Sequence, residues 1–240
     1  MILAVISDIH ANREALDAVM DSIERRSVDK IICLGDIVNY GIDFDYCIDV
    51  VRKWTDVCLL GNHDSTVIGR DPLWNMNLEA QKSAQWTAEH ISIEKKAYLG
   101  NLRLTHAENN GLFVHGSPGL PEQWDYIINW FDAESQFDNF QENLCFIGHS
   151  HAPAVYDQQE RGLFYREGIF QLASDRKFII NVGSVGQPRD QDPRACYVLI
   201  NVEMGTIEFV RINYDVMKAS QKIASISVSD FNAQRILVGV

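Results

Sequence analysis

The chain has 240 residues and 46% hydrophobic content, enough to bury the core of one large α/β domain, and a single domain over 1–240 is expected. With 33 acidic against 21 basic residues the formal charge is -12, which opposes non-specific attraction to DNA, RNA or an anionic membrane, so nucleic-acid partners are disfavoured. No apolar stretch approaches the roughly 18 to 20 residues of a membrane span. The five cysteines (Cys33, Cys47, Cys58, Cys145 and Cys196) are odd in number and form no CxxC pair, which fits a reduced cytoplasm.

Residues 1–7 are apolar but lack the basic start of a signal sequence and run straight into Asp8, so they read as a buried strand. A helix follows over about 12–25, with Ala15, Leu16, Val19, Met20 and Ile23 on one face and Asp8 or Asn12 as its cap. The pattern repeats. Residues 30–34 end at Gly35-Asp36, a second helix covers 44–54, and 57–60 end at Gly61-Asn62-His63-Asp64. Continuous apolar strands alternating with helices imply a parallel sheet covered on both faces, with ligands beyond the carboxyl ends of its strands.

Residues 75–99 read as one longer helix, and Asn109-Asn110-Gly111 as a turn between strands at 102–105 and 112–114. Residues 123–143 are aromatic, acidic and helical in part. The strand at 144–147 runs into Gly148-His149-Ser150-His151. Beyond 154 the texture is mainly β, with strands at 162–166, 178–182, 195–201 and 206–212.

Five of the seven histidines thus fall in short polar motifs that follow apolar runs: Asp8-Ile9-His10, Gly35-Asp36, Gly61-Asn62-His63-Asp64, His115-Gly116 and Gly148-His149-Ser150-His151. Imidazole and carboxylate hold borderline divalent metals. In Asp8-Ile9-His10 and His149-Ser150-His151 the two polar side chains are two positions apart and project to one side of an extended segment. A lone carboxylate such as Asp36 can bridge two cations about 3.5 to 4 Å apart. Asn62 supplies an amide oxygen while His63 stays available for proton transfer, and Gly148 permits close backbone approach. No cysteine accompanies these residues, so the donor set is nitrogen and oxygen, favouring Mn, Fe, Zn, Co or Ni. His90 and His106 lie outside any such motif. Gly183-Ser184-Val185-Gly186 only approaches a nucleophile elbow, and Ser184 is expected in a turn.

In this order, Asp-x-His, Gly-Asp, Gly-Asn-His-Asp, His-Gly and Gly-His-x-His resemble the calcineurin-like metallophosphoesterase superfamily over residues 1 to about 190. With Ser-Asp-Ile-His-Ala-Asn and Gly-Ser-Val-Gly-Gln-Pro-Arg-Asp, they are most similar to its short bacterial and archaeal phosphodiesterase-like group. The resemblance implies a four-layer α/β/β/α sandwich of two mixed sheets flanked by helices. It implies two divalent ions, with Mn favoured: one held by Asp8, His10, Asp36 and His151, the other by Asp36, Asn62, His115 and His149. It further implies catalytic His63, donating a proton to the leaving oxygen or stabilising its charge, with Asp64 orienting the ring. The implied reaction is in-line attack by a metal-bridging hydroxide on a small phosphorylated substrate, such as a phosphodiester, nucleotide or dinucleoside polyphosphate. The alternatives are a Ser/Thr or Tyr protein phosphatase and a non-catalytic, metal-bound interaction module of the same fold. Ala11 and Asn39 stand where glycine is common in the family, and Ser150 where threonine is. Arg189 either contacts a phosphate beside Asn62 or pairs with Asp190. Trp124, Tyr126, Trp130 and Phe131 either cap the pocket or pack in the core. Oligomeric state is not readable from the sequence.

Overall fold

A computed structural model of the protein describes residues 1–159, 161–163, 167–226 and 230–240. Strands β1 (Ile2–Ile6), β2 (Lys30–Cys33) and β3 (Val57–Cys58) pair in parallel, because the helices α1 (Arg13–Glu24) and α2 (Phe44–Trp54) between them carry the chain back across one face. On the other side of β1 the sheet turns antiparallel through β11 (Ala195–Asn201), β12 (Thr206–Ile212) and β9 (Gly168–Gln171). Its order is β3-β2-β1-β11-β12-β9, so the expected parallel sheet is confined to its first three strands.

The second sheet contains β4 (Thr105–Glu108), β5 (Gly111–Val114), β6 (Leu144–Ile147), β7 (Ala154–Asp157), β8 (Arg161–Leu163) and β10 (Phe178–Asn181), in the order β4-β5-β6-β10-β7-β8. It too is mixed: β5, β6 and β10 are parallel and the outer pairs antiparallel. Residues 164–166 of the strand expected at 162–166 lie outside the described residues.

Side-chain alternation assembles the layers. In β1, Leu3 and Val5 enter the core between the sheets, where they join Phe113, Phe146, Phe178 and Ile180. Ala4 and Ile6 face the other way, against Leu16 and Val19 of α1 and Cys47, Ile48 and Val51 of α2. The outer face of the second sheet, with Cys145, Ile147 and Ile179, is covered by Ile127, Phe137, Phe140 and Ala133 of the short helix α6 (Trp130–Glu134). The result is the expected four-layer α/β/β/α sandwich.

Three expectations are corrected. The helix expected over 75–99 is two, α4 (Leu78–His90) and α5 (Ile93–Gly100): Ile91 and Ser92 are extended, and the Ser92 side chain caps α5 by accepting from the Lys95 N–H at 3.2 Å. The first hairpin strand starts at Thr105 rather than 102, because Asn109 and Asn110 both take positive φ in a two-residue loop that pairs Glu108 with Gly111. The mainly β second half ends in two helices, α7 (Val216–Ser225), capped by Asp215, and α8 (Asp230–Val238), packed together through Ala219, Ile223, Ala233 and Ile236. Among the described residues no helix is long and apolar enough to cross a membrane. All five cysteines are free thiols.

Candidate metal centre

The strands deliver their polar motifs to one end of the sandwich. Asp8 and His10 follow β1, Asp36 follows β2, Asn62 and His63 follow β3 on the short helix α3 (Asn62–Val67), His115 follows β5, and His149 and His151 follow β6. Three groups of ligand atoms, each within 4.8 Å of one another, form there: Asp8, His10 and His151; Asp36, His115 and His149; and His10, Asp36 and His63. Asn62 joins the second, its Oδ1 lying 3.2 Å from His115 Nε2. Asp36 is central, with Oδ2 3.2 Å from His115 Nε2, 3.7 Å from His10 Nε2 and 4.0 Å from His63 Nε2. The seven residues expected as metal ligands and His63 thus lie together, whereas Asp64 and Arg189 are in none of these groups. His90 stacks on Trp86 and His106 lies beside Glu108, both outside these groups.

The backbone is bent to bring these side chains together. Asp8, His10, Ala11, Asp36, Asn39, Tyr40, His149 and His151 all have φ between +50° and +74°. Each such non-glycine residue costs on the order of 1–3 kcal/mol, strain that persists only where the surroundings over-determine it. Ala11, at φ +53°, explains why glycine suits that position. Gly148 is required by contact: a Cβ there would run into the Ser7 hydroxyl and the Asp8 carboxylate. Ser184 lies in the irregular loop after β10 rather than in a regular turn, its hydroxyl donating to Asp8 O at 2.8 Å and accepting from Gln187 N at 2.8 Å.

Hydrogen bonds separate the histidines into two kinds. Nδ1 of His10, His115 and His151 lies 3.1, 3.2 and 2.6 Å from the carbonyl oxygens of Val38, Leu34 and Gln187. A carbonyl only accepts, so each Nδ1 carries the proton and each Nε2 turns an acceptor lone pair into the site, the arrangement of a metal-ligating histidine. His10 Nε2 and His151 Nε2 lie 3.2 Å apart, a repulsive contact between bare lone pairs that one shared cation makes favourable. His63 is the reverse. The Asn39 amide is fixed by Oδ1 accepting from Tyr40 N at 2.7 Å and Nδ2 donating to Ala80 O at 3.3 Å, so Nδ2, 2.6 Å from His63 Nδ1, donates to it. The proton of neutral His63 therefore sits on Nε2, facing the cluster.

The assignment of Asp64 to the His63 ring is overturned. Asp64 is fully buried, and its carboxylate accepts from four backbone N–H groups: Asp36 at 2.8 Å, Ile37 at 2.9 Å, Val38 at 3.2 Å and Gly61 at 3.2 Å. It clamps the Asp36 loop to the start of α3, and Asn39 is the residue at the ring. Arg189 also resolves: Asp190 pairs with Arg211, leaving Arg189 to donate to Gln187 Oε1 at 2.8 Å and to the Tyr40 hydroxyl at 3.4 Å. Of the aromatics, Tyr126 stacks over His149 at 3.8 Å, Trp124 lies edge-on to His115 at 6.0 Å, Trp130 packs against Phe137, and Phe131 is exposed.

Charge in the pocket is out of balance in a way that suits cations. Burial holds His63 down at about 4 and His149 at about 3, and lowers His10 well below the usual imidazole range. Burial also opposes ionisation of His115, yet Asp36 and Asp8 outweigh it and raise that ring to about 9. Burial and the Asp36 carboxylate push Asp64 up to about 7, against the N–H donors of Val38 and Gly61. Asp8 Oδ1, Asp36 Oδ2 and His149 Nε2 are buried with no hydrogen-bond partner. Orphaned acceptors at the meeting point of two carboxylates and several imidazoles fit divalent cations.

Fold and site together define a metallophosphoesterase-type α/β protein with candidate metal ligands at its strand ends. The chain belongs to the calcineurin-like phosphoesterase superfamily, whose domain model matches residues 1–205. An uncharacterized protein of Methanocaldococcus jannaschii is 38% identical over 99% of this chain and 98% of its own length. The crystal structure of a metallophosphoesterase from Sphaerobacter thermophilus superposes with a TM-score of 0.90 at 34% identity, covering 100% of this chain and 99% of that one. A hypothetical protein from Pyrococcus horikoshii shares the fold at 18% identity and a TM-score of 0.81, covering 100% and 98%.

Proposed function

We propose that the protein is a binuclear metal-dependent phosphoesterase acting on small phosphate esters in the reducing cytoplasm. Asp8, His10, Asp36 and His151 would hold one divalent cation, and Asp36, Asn62, His115 and His149 a second. Bound there, such ions supply an acidified water as nucleophile and neutralise charge on the phosphoryl oxygens.

The chain's own residues do the rest. Val38, Leu34 and Gln187 fix three imidazoles with Nε2 inward, so the ligand nitrogens are positioned before any ion arrives, although His115 must shed a proton from Nε2 to bind one. His63 is neutral near pH 7 and presents Nε2–H beside Asp36 Oδ2, which suits it to a hydrogen bond that stabilises charge growing on the leaving oxygen. Of the two roles implied for His63, this one matches its low pKa, since a neutral imidazole N–H is a poor proton source. Arg189 would bind a phosphate oxygen.

The observation that carries the reading is the trio of buried, unpartnered acceptors, Asp8 Oδ1, Asp36 Oδ2 and His149 Nε2, beside a histidine of opposite tautomer. The test is elemental analysis coupled to hydrolysis of bis-p-nitrophenyl phosphate, p-nitrophenyl phosphate, nucleotides and phosphopeptides, with Mn added and with metal stripped. Metal-dependent turnover of small esters supports the proposal. Turnover of phosphopeptides alone would make it a protein phosphatase, and none at all with metal bound would leave an interaction module.

A further inference from the structure

We propose that Tyr126 is a stacking platform for the base of a nucleotide, which makes nucleoside phosphates the substrate class of the metal centre. The proposal rests on the phosphoesterase reading and adds what holds the organic end of the ester.

Among the described residues three aromatic side chains lie against the histidines of the cluster. Tyr40 has its ring centre 4.7 Å from those of His10 and His63, but it is only 4% exposed and has no face left for a ligand. Trp124 stands edge-on to His115 at 6.0 Å, and its indole N–H is spent on Asp71 Oδ2 at 2.9 Å. Tyr126 differs from both. Its ring lies 3.8 Å from that of His149 with 19° between the planes, yet the residue is 52% exposed. A flat ring with one face covered by an imidazole owes exposure of that size largely to its other face, which is open to solvent.

Neighbours in the chain hold the ring there. Before it, Trp124 takes φ +58°, and a Cβ on Gly116, directly after His115, would lie 3.3 Å from both Trp124 Cα and Asp125 O. The segment thus passes over the end of β5 at a distance that suits glycine. After it, Ile127 is buried in the outer core of the second sheet with Phe137 and Phe140. With an anchor on each side, the Tyr126 side chain is presented over the metal centre and not folded into the protein.

Position and chemistry together select the ligand. His149 is one of the residues that would hold the second cation, so a phosphoryl group at the cluster has Tyr126 beside it. A planar base laid on an exposed aromatic face buries apolar area on both rings, whichever base it is. The outer face of Tyr126 stands two ring spacings from the imidazole, so the stacking group and the phosphate must be joined by a spacer. A nucleotide has one in its sugar, whereas inorganic phosphate and a short alkyl ester reach no further than the cluster.

The experiment measures binding to the Mn-loaded protein by titration calorimetry, for wild type, Tyr126→Phe, Tyr126→Leu and Tyr126→Ala. The probes are the phosphonate analogues of adenosine 5′-phosphate and of ribose 5-phosphate, in which a methylene replaces the ester oxygen so that neither turns over. Wild type should bind the adenosine analogue more tightly, and Tyr126→Ala should weaken it about tenfold while leaving the ribose analogue unchanged. Tyr126→Phe should keep the wild-type preference. In kinetics, the ratio of kcat/KM for adenosine 5′-phosphate to that for ribose 5-phosphate should fall in Tyr126→Ala by the same factor. Equal affinities for the two analogues in wild type, binding of neither, or equal losses for both in Tyr126→Ala would overturn the platform. If elemental analysis shows that Tyr126→Ala loses Mn because His149 is uncovered, Tyr126→Leu, which keeps an apolar cover, must still lose the preference for adenosine. Wild-type binding of the adenosine analogue by Tyr126→Leu would show that the ring only shields His149, and is equally fatal. A wild-type protein that prefers the adenosine analogue but hydrolyses no ester refutes the phosphoesterase reading and leaves the platform standing.

Discussion

Asp64→Asn tests whether this residue clamps two loops or orients His63. Its two oxygens each accept two backbone N–H bonds: Oδ2 from Asp36 and Gly61, Oδ1 from Ile37 and Val38. The asparagine retains one oxygen and turns an NH2 group toward the other two donors, which lose their acceptors in a site with no solvent access. At about 1–3 kcal/mol for each orphaned buried donor, the loss is roughly 2–6 kcal/mol. A chain of this length shifts its melting temperature by about 2–4 °C per kcal/mol, so a fall on the order of 10 °C is expected. The assay is thermal unfolding in chelator, followed by calorimetry, so that metal linkage does not mask the change. A melting point within 2 °C of wild type, with turnover reduced, would refute the clamp and restore Asp64 to the ring.

Asn39→Ala should show the complementary pattern: a loss of turnover of about tenfold, with KM little changed, because His63 loses the donor that fixes its tautomer. It leaves the Tyr40 N–H satisfied, since that group still donates to Ser83 Oγ at 2.8 Å. His63→Ala should reduce kcat by about 10² to 10³ with metal content unchanged by elemental analysis, and near wild-type turnover would remove its role at the leaving group. Because Asp36 and Asp8 raise His115 to about 9, the metal-free site binds a proton there below that pH, and a divalent cation must displace it. Mn affinity should therefore climb with pH by up to about tenfold per unit until about pH 9, with close to one proton released at pH 7.5, readable by calorimetry in buffers of different ionisation enthalpy. Lys222 and Lys218 outweigh burial and hold Glu14 below the usual carboxylate range, so its contribution is present above the unfolded value and is lost as pH falls through the folded one. Glu14→Gln should accelerate amide exchange across α7 and α8 about tenfold at pH 7, from the roughly 1–3 kcal/mol of a charged hydrogen bond, and an unchanged rate would show that the pair does not anchor these helices.

What was legible in the sequence was whatever a local pattern encodes. The second helix and strands β6, β11 and β12 have the bounds expected for them, since each is an uninterrupted periodic run with turn residues at both ends. The convergence of the five motifs was legible for the same reason: an apolar strand followed at once by its polar residues places them at one end of a sheet. The break at Ile91–Ser92 was obscured because strong helix formers flank it and no glycine or proline marks it. The C-terminal helices did leave a signal, Asp215 before Val216, Ala219 and Ile223, in a stretch beyond the last expected strand to which no element was assigned.

The roles of the histidines belong to a different category, because tautomer is decided by partners that sequence does not bring near. His10, His115 and His151 are set by carbonyls 28, 81 and 36 residues away, and a backbone carbonyl is the same group whatever residue bears it. No alphabet of side chains could announce it. His63 is set by Asn39, 24 residues distant, whose amide is itself oriented by Tyr40 and Ala80. The family resemblance assigned Asp64 to the ring, yet as the third residue of α3 it faces the Gly61 N–H at the helix start and the N–H groups of Asp36, Ile37 and Val38 in the loop after β2, and these four donors outcompete one imidazole. The resemblance that identified the motif thus misread one of its members. Whether a carboxylate serves a ring or a backbone depends on how many unsatisfied donors the fold leaves within reach, and at the mouth of a helix where two loops meet, the backbone wins.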